Sequence, residues 1–252
     1  VIVAFFVAGG GTVSGWMIYR QNAIWTTRIE DLKKTILNQA ELVESVRKSN
    51  QGFLMGNVLD KIDAELALRP KGPLNEATID RVAALSHSLK PYRYFEGDTL
   101  SSKALSPERG QLLLALVNME IDSASWTAIK SKATFAAADL SGANLRGKDL
   151  SGMNLRGANF RGGDISQATL CHSDLWYACF WGATANNTNL SHAQLVRADL
   201  HWAQLNNSKL IQANLNGANF ANAQLRNVDL LQATFRYGSA EGALFHGAHL
   251  TE

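Results

Sequence analysis

From Phe135 onward an apolar residue recurs at every fifth position. The series runs Phe135, Leu140, Leu145, Leu150, Leu155, Phe160, Ile165, Leu170, Leu175, Phe180 and on to Leu250, and 22 of its 24 positions are Leu, Ile or Phe, with Ala185 and Ala240 the two exceptions. No insertion breaks the register. Two residues before most of these positions stands a small residue, as in Ala138, Ala143, Ala158, Ala193, Ala198, Ala213 and Ala218, and the position between is usually Asp, Asn, Thr or Gln. A period of five matches neither the 3.6 of a helix nor the 2.0 of a strand. It fits a chain that turns a corner every five residues, each pentapeptide forming one side of a square. Four bulky central side chains fill the middle of such a coil, so the second inward position must be small. Gly142, Gly147, Gly152, Gly157 and Gly162 fall two residues after the centre, where a type II turn needs positive φ. Asn187, Asn207, Asn222 and Asn227 take that place later, and asparagine tolerates the same conformation.

Repeats such as SGANL, RGKDL, SGMNL and RGANF resemble the pentapeptide-repeat family, whose consensus is A(D/N)LXX, and the resemblance covers residues 133–252. It implies a right-handed quadrilateral β-helix, that is a β-solenoid, with no enzymatic activity of its own. At four pentapeptides per coil and an inter-strand spacing of about 4.8 Å, the rod has about 6 coils and is roughly 29 Å long. Stacking every twentieth residue assigns the faces. One carries Leu140, Phe160, Phe180, Leu200, Phe220 and Ala240, so phenylalanines should stack in the core. On another, Ala185 lies between Ile165 and Leu205, which makes that coil the expected weak point of packing. Lys148 and Met153 break the rule of small inward residues, both near the end where a cap would meet the rod.

Ahead of the repeats the pattern changes. Residues 1–19 (VIVAFFVAGGGTVSGWMIY) carry no charge and are followed by Arg20, with Trp16 and Tyr19 at an interfacial level. This predicts a transmembrane helix; a buried core helix and a signal-peptide remnant are the other readings of such a run. The chain opens inside this run without methionine, so upstream residues are expected. With this anchor the chain resembles a membrane-anchored bacterial member of the family. Residues 20–50 form a membrane-proximal helix with a heptad seam at Trp25, Ile29, Leu32, Ile36, Gln39, Val43 and Val46. Either it pairs with a copy of itself through residues 25–46 or it packs on the helices that follow. Residues 51–132 read as a helical linker and capping region: a segment over 53–68 stopped by Pro70, a helix after an Asn75 cap, a loop over 92–104, a helix opened by Ser106-Pro107-Glu108, and a last short one capped by Asp122 or Ser123. The final helical pair should cover the first coil, whose apolar interior is otherwise exposed.

Charge and reactive residues narrow the function. Lys+Arg number 24 and Asp+Glu 22 over the chain, and the rod holds eight of each sign, which argues against a nucleic-acid partner. There is no Gly-rich phosphate loop, nucleophile motif or regular His/Cys spacing, so neither a catalytic residue, a cofactor nor a metal is expected. Cys171 and Cys179 sit on opposite sides of the square, too far apart for a disulfide. His172 and His192 share a corner column and should stack.

The outstanding surface feature is aromatic. Trp176, Tyr177, Trp181, His201 and Trp202 map to two adjoining faces, with Arg156 and Arg161 one coil earlier. They serve either as ladders that brace neighbouring coils or as a contact patch for a protein partner. The composite expectation is a non-enzymatic membrane-anchored scaffold or adaptor subunit that presents the rod to a protein partner or membrane complex. Arg20, Arg28, Lys33 and Lys34 after the span place its bulk on the cytoplasmic side of a bacterial inner membrane. The resemblance also reaches members that mimic duplex DNA and bind type II topoisomerases, but those are strongly acidic, and this rod is neutral.

Overall fold

The computed structural model describes residues 13–96 and 99–249. In chain order the elements before the rod are α1 (Val13–Leu68), α2 (Glu76–Ser88), the hairpin strands β1 (Phe95–Glu96) and β2 (Thr99–Leu100), α3 (Pro107–Leu116) and α4 (Ser123–Lys132). The chain divides into two compact units, residues 1–50 and 51–252.

The segments expected as separate over 20–50 and 53–68 are one helix. No proline interrupts the run before Pro70, and Gly52 and Gly56, inside the helix with open space beside them, each cost about 1 kcal/mol of propensity without ending it. In the first unit Trp25, Ile29, Leu32 and Val46 are each at least half exposed. The first twelve residues of the predicted span over 1–19 lie outside the described residues. Among the described residues no helix is long and apolar enough to cross a membrane.

In the second unit the helices after α1 form a cap with the last turns of that helix. Ile62, Ile79, Val82, Leu85, Leu112, Leu113, Leu116 and Ile129 are buried together. Each fully buried aliphatic side chain contributes roughly 1.5–3 kcal/mol. The helix starts are specific. Ser106 Oγ accepts from Arg109 N–H at 3.1 Å, and Asp122 Oδ1 accepts from Ala124 and Ser125 N–H at 3.0 Å. Asn75 stands at the N-cap of α2 but its side chain makes no capping bond. Glu65 of α1 takes over, accepting from Asn75 N–H at 2.8 Å and from Thr78 Oγ1 at 2.6 Å. The stretch expected as a loop over 92–104 is partly β: Tyr92 pairs antiparallel with Leu105, and Phe95 with Leu100. Its aromatic run favours extended backbone.

The cap is stitched to the first coil. Ser106 forms a parallel bridge with Ala138, so the edge of the solenoid is paired rather than bare. Buried Arg109 donates from Nε to Ser86 O at 2.8 Å and from Nη1 to Ala136 O at 2.5 Å, tying the C-terminal turn of α2 to the rod. Lys148 carries its charge out of the core to Val117 O at 2.8 Å and so belongs to the cap junction, while Met153 is buried in the rod.

Beyond it the rod repeats every twenty residues. Parallel bridges run from Asp139↔Asn159 through Asn189↔Lys209 to Asp229↔His249, the pattern of a four-sided coil. From Phe135 to Leu230 each central N–H donates to a carbonyl of the next coil, as Leu190 N–H does to Lys209 O at 2.7 Å. Every corner has a left-handed residue, from Gly142 at φ 65° to Gly247 at φ 70°. The central and small positions from Leu140 to Leu230 are buried, apart from half-buried Ala143 and the Lys148 noted above. Phe160 and Phe180 stack at 4.8 Å with 3° between planes. Near Ala185 two buried hydroxyls line the interior, Thr188 donating to Ile165 O at 2.8 Å and Ser208 to Ala185 O at 2.7 Å. In the last coil the centres Phe235 and Phe245 are exposed, and Phe235 meets Phe220 edge-on at 5.6 Å. Together with Leu215, Leu225 and Leu230 they line an apolar cavity of 340 Å³. Leu250, the last member of the sequence series, lies outside the described residues.

Candidate protein-interaction surface

Two corner columns flank the face whose outward residues are Asp139, Asn159, Cys179, Asp199 and Asn219. One column holds Arg156, Trp176 and Tyr177, and the other holds Arg161, Trp181, His201 and Trp202. The rod's turns dictate this placement, because residues one and two after each centre lie at a corner and cannot point inward. Tyr177 is 40% exposed, Trp181 39% and Trp202 55%. Trp176 and His201 are half-buried.

The aromatics are organised by guanidinium groups. Arg156 Cζ lies 4.8 Å from the Trp176 ring centroid and 6.0 Å from that of Tyr177. Arg161 Cζ lies 4.1 Å over Trp181. Arg197, which the sequence reading passed over, completes the first column: its Cζ is 5.8 Å from the Tyr177 ring and its Nη1 donates to Tyr177 Oη at 3.2 Å. The twenty-residue offset between 177 and 197 is the signal that could have found it. Such exposed cation–π contacts contribute about 0.5–1 kcal/mol each. His201, one coil on from Trp181, meets Trp202 edge-on at 5.6 Å and 84°.

Neighbouring carboxylates are occupied by backbone and amide donors. Asp174 Oδ1 accepts from Trp176 N–H, and Asp199 Oδ1 from His201 N–H and Asn219 Nδ2, each at 3.2 Å. Among the described residues none of Arg156, Arg161 and Arg197 forms an ion pair. The patch therefore offers flat apolar rings and cationic edges together. Beside it, a groove of 570 Å³ runs between the 94–105 segment and the flanked face, lined by Tyr94, Lys103, Asn159, Arg161, Cys179 and Asp199 among others. The sequence reading gave the 92–104 stretch no place against the rod, so this groove was not anticipated.

Backbone strain marks two of the rings. Tyr177 and Trp202 both sit at φ 60°. In the Trp202 column the other corners are Gly142, Gly162, Gly182, Asn222 and Gly242, residue types that adopt positive φ readily. An aromatic there costs about 1 kcal/mol or more relative to glycine.

Elsewhere the ladders are structural. His172 and His192 stack at 4.6 Å with 4° between planes, as expected. Cys171 and Cys179 are free thiols, and among the described residues no group of His, Cys, Asp or Glu could hold a metal ion.

Comparison with known proteins fits this geometry. The family described as pentapeptide repeats matches in eight copies over residues 133–170, 164–201, 177–210 and 213–252. Similar solved structures include the pentapeptide repeat protein Rfr23 from the cyanobacterium Cyanothece 51142, at 31% identity over 37% of this chain and 64% of that one, TM-score 0.37. HetL from Nostoc sp. strain PCC 7120, a pentapeptide repeat protein involved in heterocyst differentiation regulation, is 29% identical over 46% of this chain and 59% of its own, TM-score 0.33. The Nostoc pentapeptide repeat protein alr5209 is 30% identical over 34% of this chain and 69% of its own, TM-score 0.32. The chain thus spans less than two thirds of the length of Rfr23 and HetL. No curated protein matches it. With its five-residue register, its twenty-residue bridges and this match, the chain belongs to the pentapeptide-repeat family through residues 133–252.

Proposed function

We propose that the protein is a non-enzymatic scaffold or adaptor whose rod presents the two aromatic–arginine corners to a protein partner, held at a membrane by the segment over residues 1–19. The observation that carries the recognition surface is Trp202: more than half exposed, and kept at φ 60° in a column whose other corners are glycine and asparagine. Other side chains of the rod also take positive φ, Gln167 and His192 among them, but Trp202 combines that conformation with a large exposed ring, which is what binding hot spots use. The membrane arm is supported by 19 uncharged residues followed by Arg20, and the cytoplasmic orientation at a bacterial inner membrane by Arg28, Lys33 and Lys34. The balanced charge of the rod, eight residues of each sign, gives no support to a DNA-mimic role.

The test is a double change, Trp181→Ala with Trp202→Ala. Partner proteins are identified by mild detergent extraction and mass spectrometry, and their affinity is then measured for both chains. The rod should stay folded, losing no more than the roughly 0.5–1 kcal/mol of the Arg161–Trp181 contact, while binding weakens by roughly 2 kcal/mol or more. Lowered melting temperature with undiminished binding would instead assign the rings to bracing neighbouring coils. Recovery of the full-length chain in the soluble fraction would overturn the anchor separately.

A further inference from the structure

The first unit carries an apolar seam whose flanks are charged in a one-sided way. Trp25, Ile29, Leu32, Ile36, Gln39, Val43 and Val46 recur at spacings of 4 and 3 along α1 (Val13–Leu68). In heptad terms Ile29, Ile36 and Val43 occupy a, and Trp25, Leu32, Gln39 and Val46 occupy d. β-branched residues at a suit a two-stranded pairing. Trp25 is 57% exposed, Ile29 50%, Leu32 57% and Val46 54%.

The flanking e and g positions from 26 to 49 are Thr26, Arg28, Lys33, Thr35, Ala40, Leu42, Arg47 and Ser49. Three are basic and none is acidic. The acids are all on the outer positions: Glu30, Asp31, Glu41 and Glu44, the last paired with Lys48 at 2.6 Å.

We propose that residues 25–47 dock one amphipathic helix of another protein, whose own apolar seam is flanked by Asp or Glu. Charges at e and g choose partners in such pairings. A second copy in parallel would set Arg28 of each strand opposite Lys33 of the other, a like-charge contact made twice. A second copy in antiparallel array, with Ile29 opposite Val46, avoids that contact but places Gln39 against Ile36 in both central layers. An acid-flanked foreign helix meets Arg28 and Lys33 with opposite charge and leaves one strand free to answer Gln39. A bilayer surface fits poorly, because a membrane-lying helix needs a cationic polar face and a broad apolar one. Here the outer positions carry four acids against two bases, Lys34 and Lys48, and the seam is narrow. The contact covers on the order of 1,000 Å², the small end of stable interfaces, and its flanking charges make binding salt-sensitive.

The test uses the full chain and two synthetic helical peptides of matched a/d seams, one with Glu at every e and g position and the other with Lys. Fluorescence anisotropy at low salt should show the Glu peptide bound at least tenfold more tightly than the Lys peptide, with the gap closing at high salt. Ile29→Asp with Leu32→Asp should abolish this binding and leave the rod's melting unchanged, since both side chains are exposed. Equal affinity for the two peptides, or binding of neither, would overturn the proposal. So would sedimentation of the chain alone as a dimer that Leu32→Asp splits, since the seam would then belong to self-association.

Discussion

Gly110 of α3 rests directly against the carbonyl of Asp139 in the first coil, with no room for a Cβ between them. This contact lets the helix lie on the open end of the rod close enough for Leu112, Leu113 and Leu116 to close it.

Gly110→Ala is therefore expected to lower stability by about 1–3 kcal/mol, the usual range for forcing a methyl into a closed contact, although alanine is the better helix former. Chemical denaturation followed by circular dichroism checks it. A neutral or stabilising result would mean that the cap does not bear on the rod as described.

The rod was legible in the sequence because each coil repeats the same local demands: a bulky centre, a small neighbour, a corner that tolerates positive φ. The cap was legible only in its punctuation. Ser106 and Asp122 cap their helices by contacts within three residues, which a local pattern reveals. Glu65 serving the start of α2, or Arg109 joining Ser86 to Ala136, spans many residues and leaves no local trace. The candidate surface divides in the same way. Its faces followed from the register, while the turn of His201 toward Trp202 and the groove beside the 94–105 segment depend on side-chain and tertiary packing.

Leu210 is fully buried between Leu190 and Leu230 of adjoining coils, and Leu190 is 1% exposed. Leu190→Asp or Leu210→Asp places an unpaired carboxylate there, a change of several kcal/mol. Because each coil is stabilised by its neighbours, the expected outcome is cooperative loss of the rod. An unchanged melting curve for either variant would show the register to be wrong.

Acid should loosen the cap junction. Burial pushes the Asp149 carboxyl up, but hydrogen bonds from Lys130 and from Ser151, with the lysine's charge, bring it below the ordinary carboxylate value. Lys130 Nζ lies 2.6 Å from Asp149 Oδ2. The folded value lies below the unfolded one of about 3.9, so the unfolded chain takes up protons first as pH falls. The contribution is complete above the unfolded value and is lost as pH drops through the folded one. Lys130→Ala should thus lower the melting point at pH 7, by about 0.5–1 kcal/mol equivalent after allowance for Asp149's exposure, and change it much less near pH 2. Thermal melts of both chains at the two pH values decide this; an equal gap at both would remove the ion pair as its cause.

The twenty-residue bridge pattern also sets what lengths of insertion the rod accepts. Twenty extra residues with the same register would add one coil, moving everything beyond by about 4.8 Å along the axis without rotating it. Five would turn all later residues by a quarter of the square. Placed between Trp181 and His201, a five-residue insertion would keep every buried centre apolar yet carry Trp202 to a different face from Trp181. Length variation in units of a coil thus keeps each residue on its face and changes only its height along the axis, whereas variation in units of a side preserves the fold and dismantles the surface.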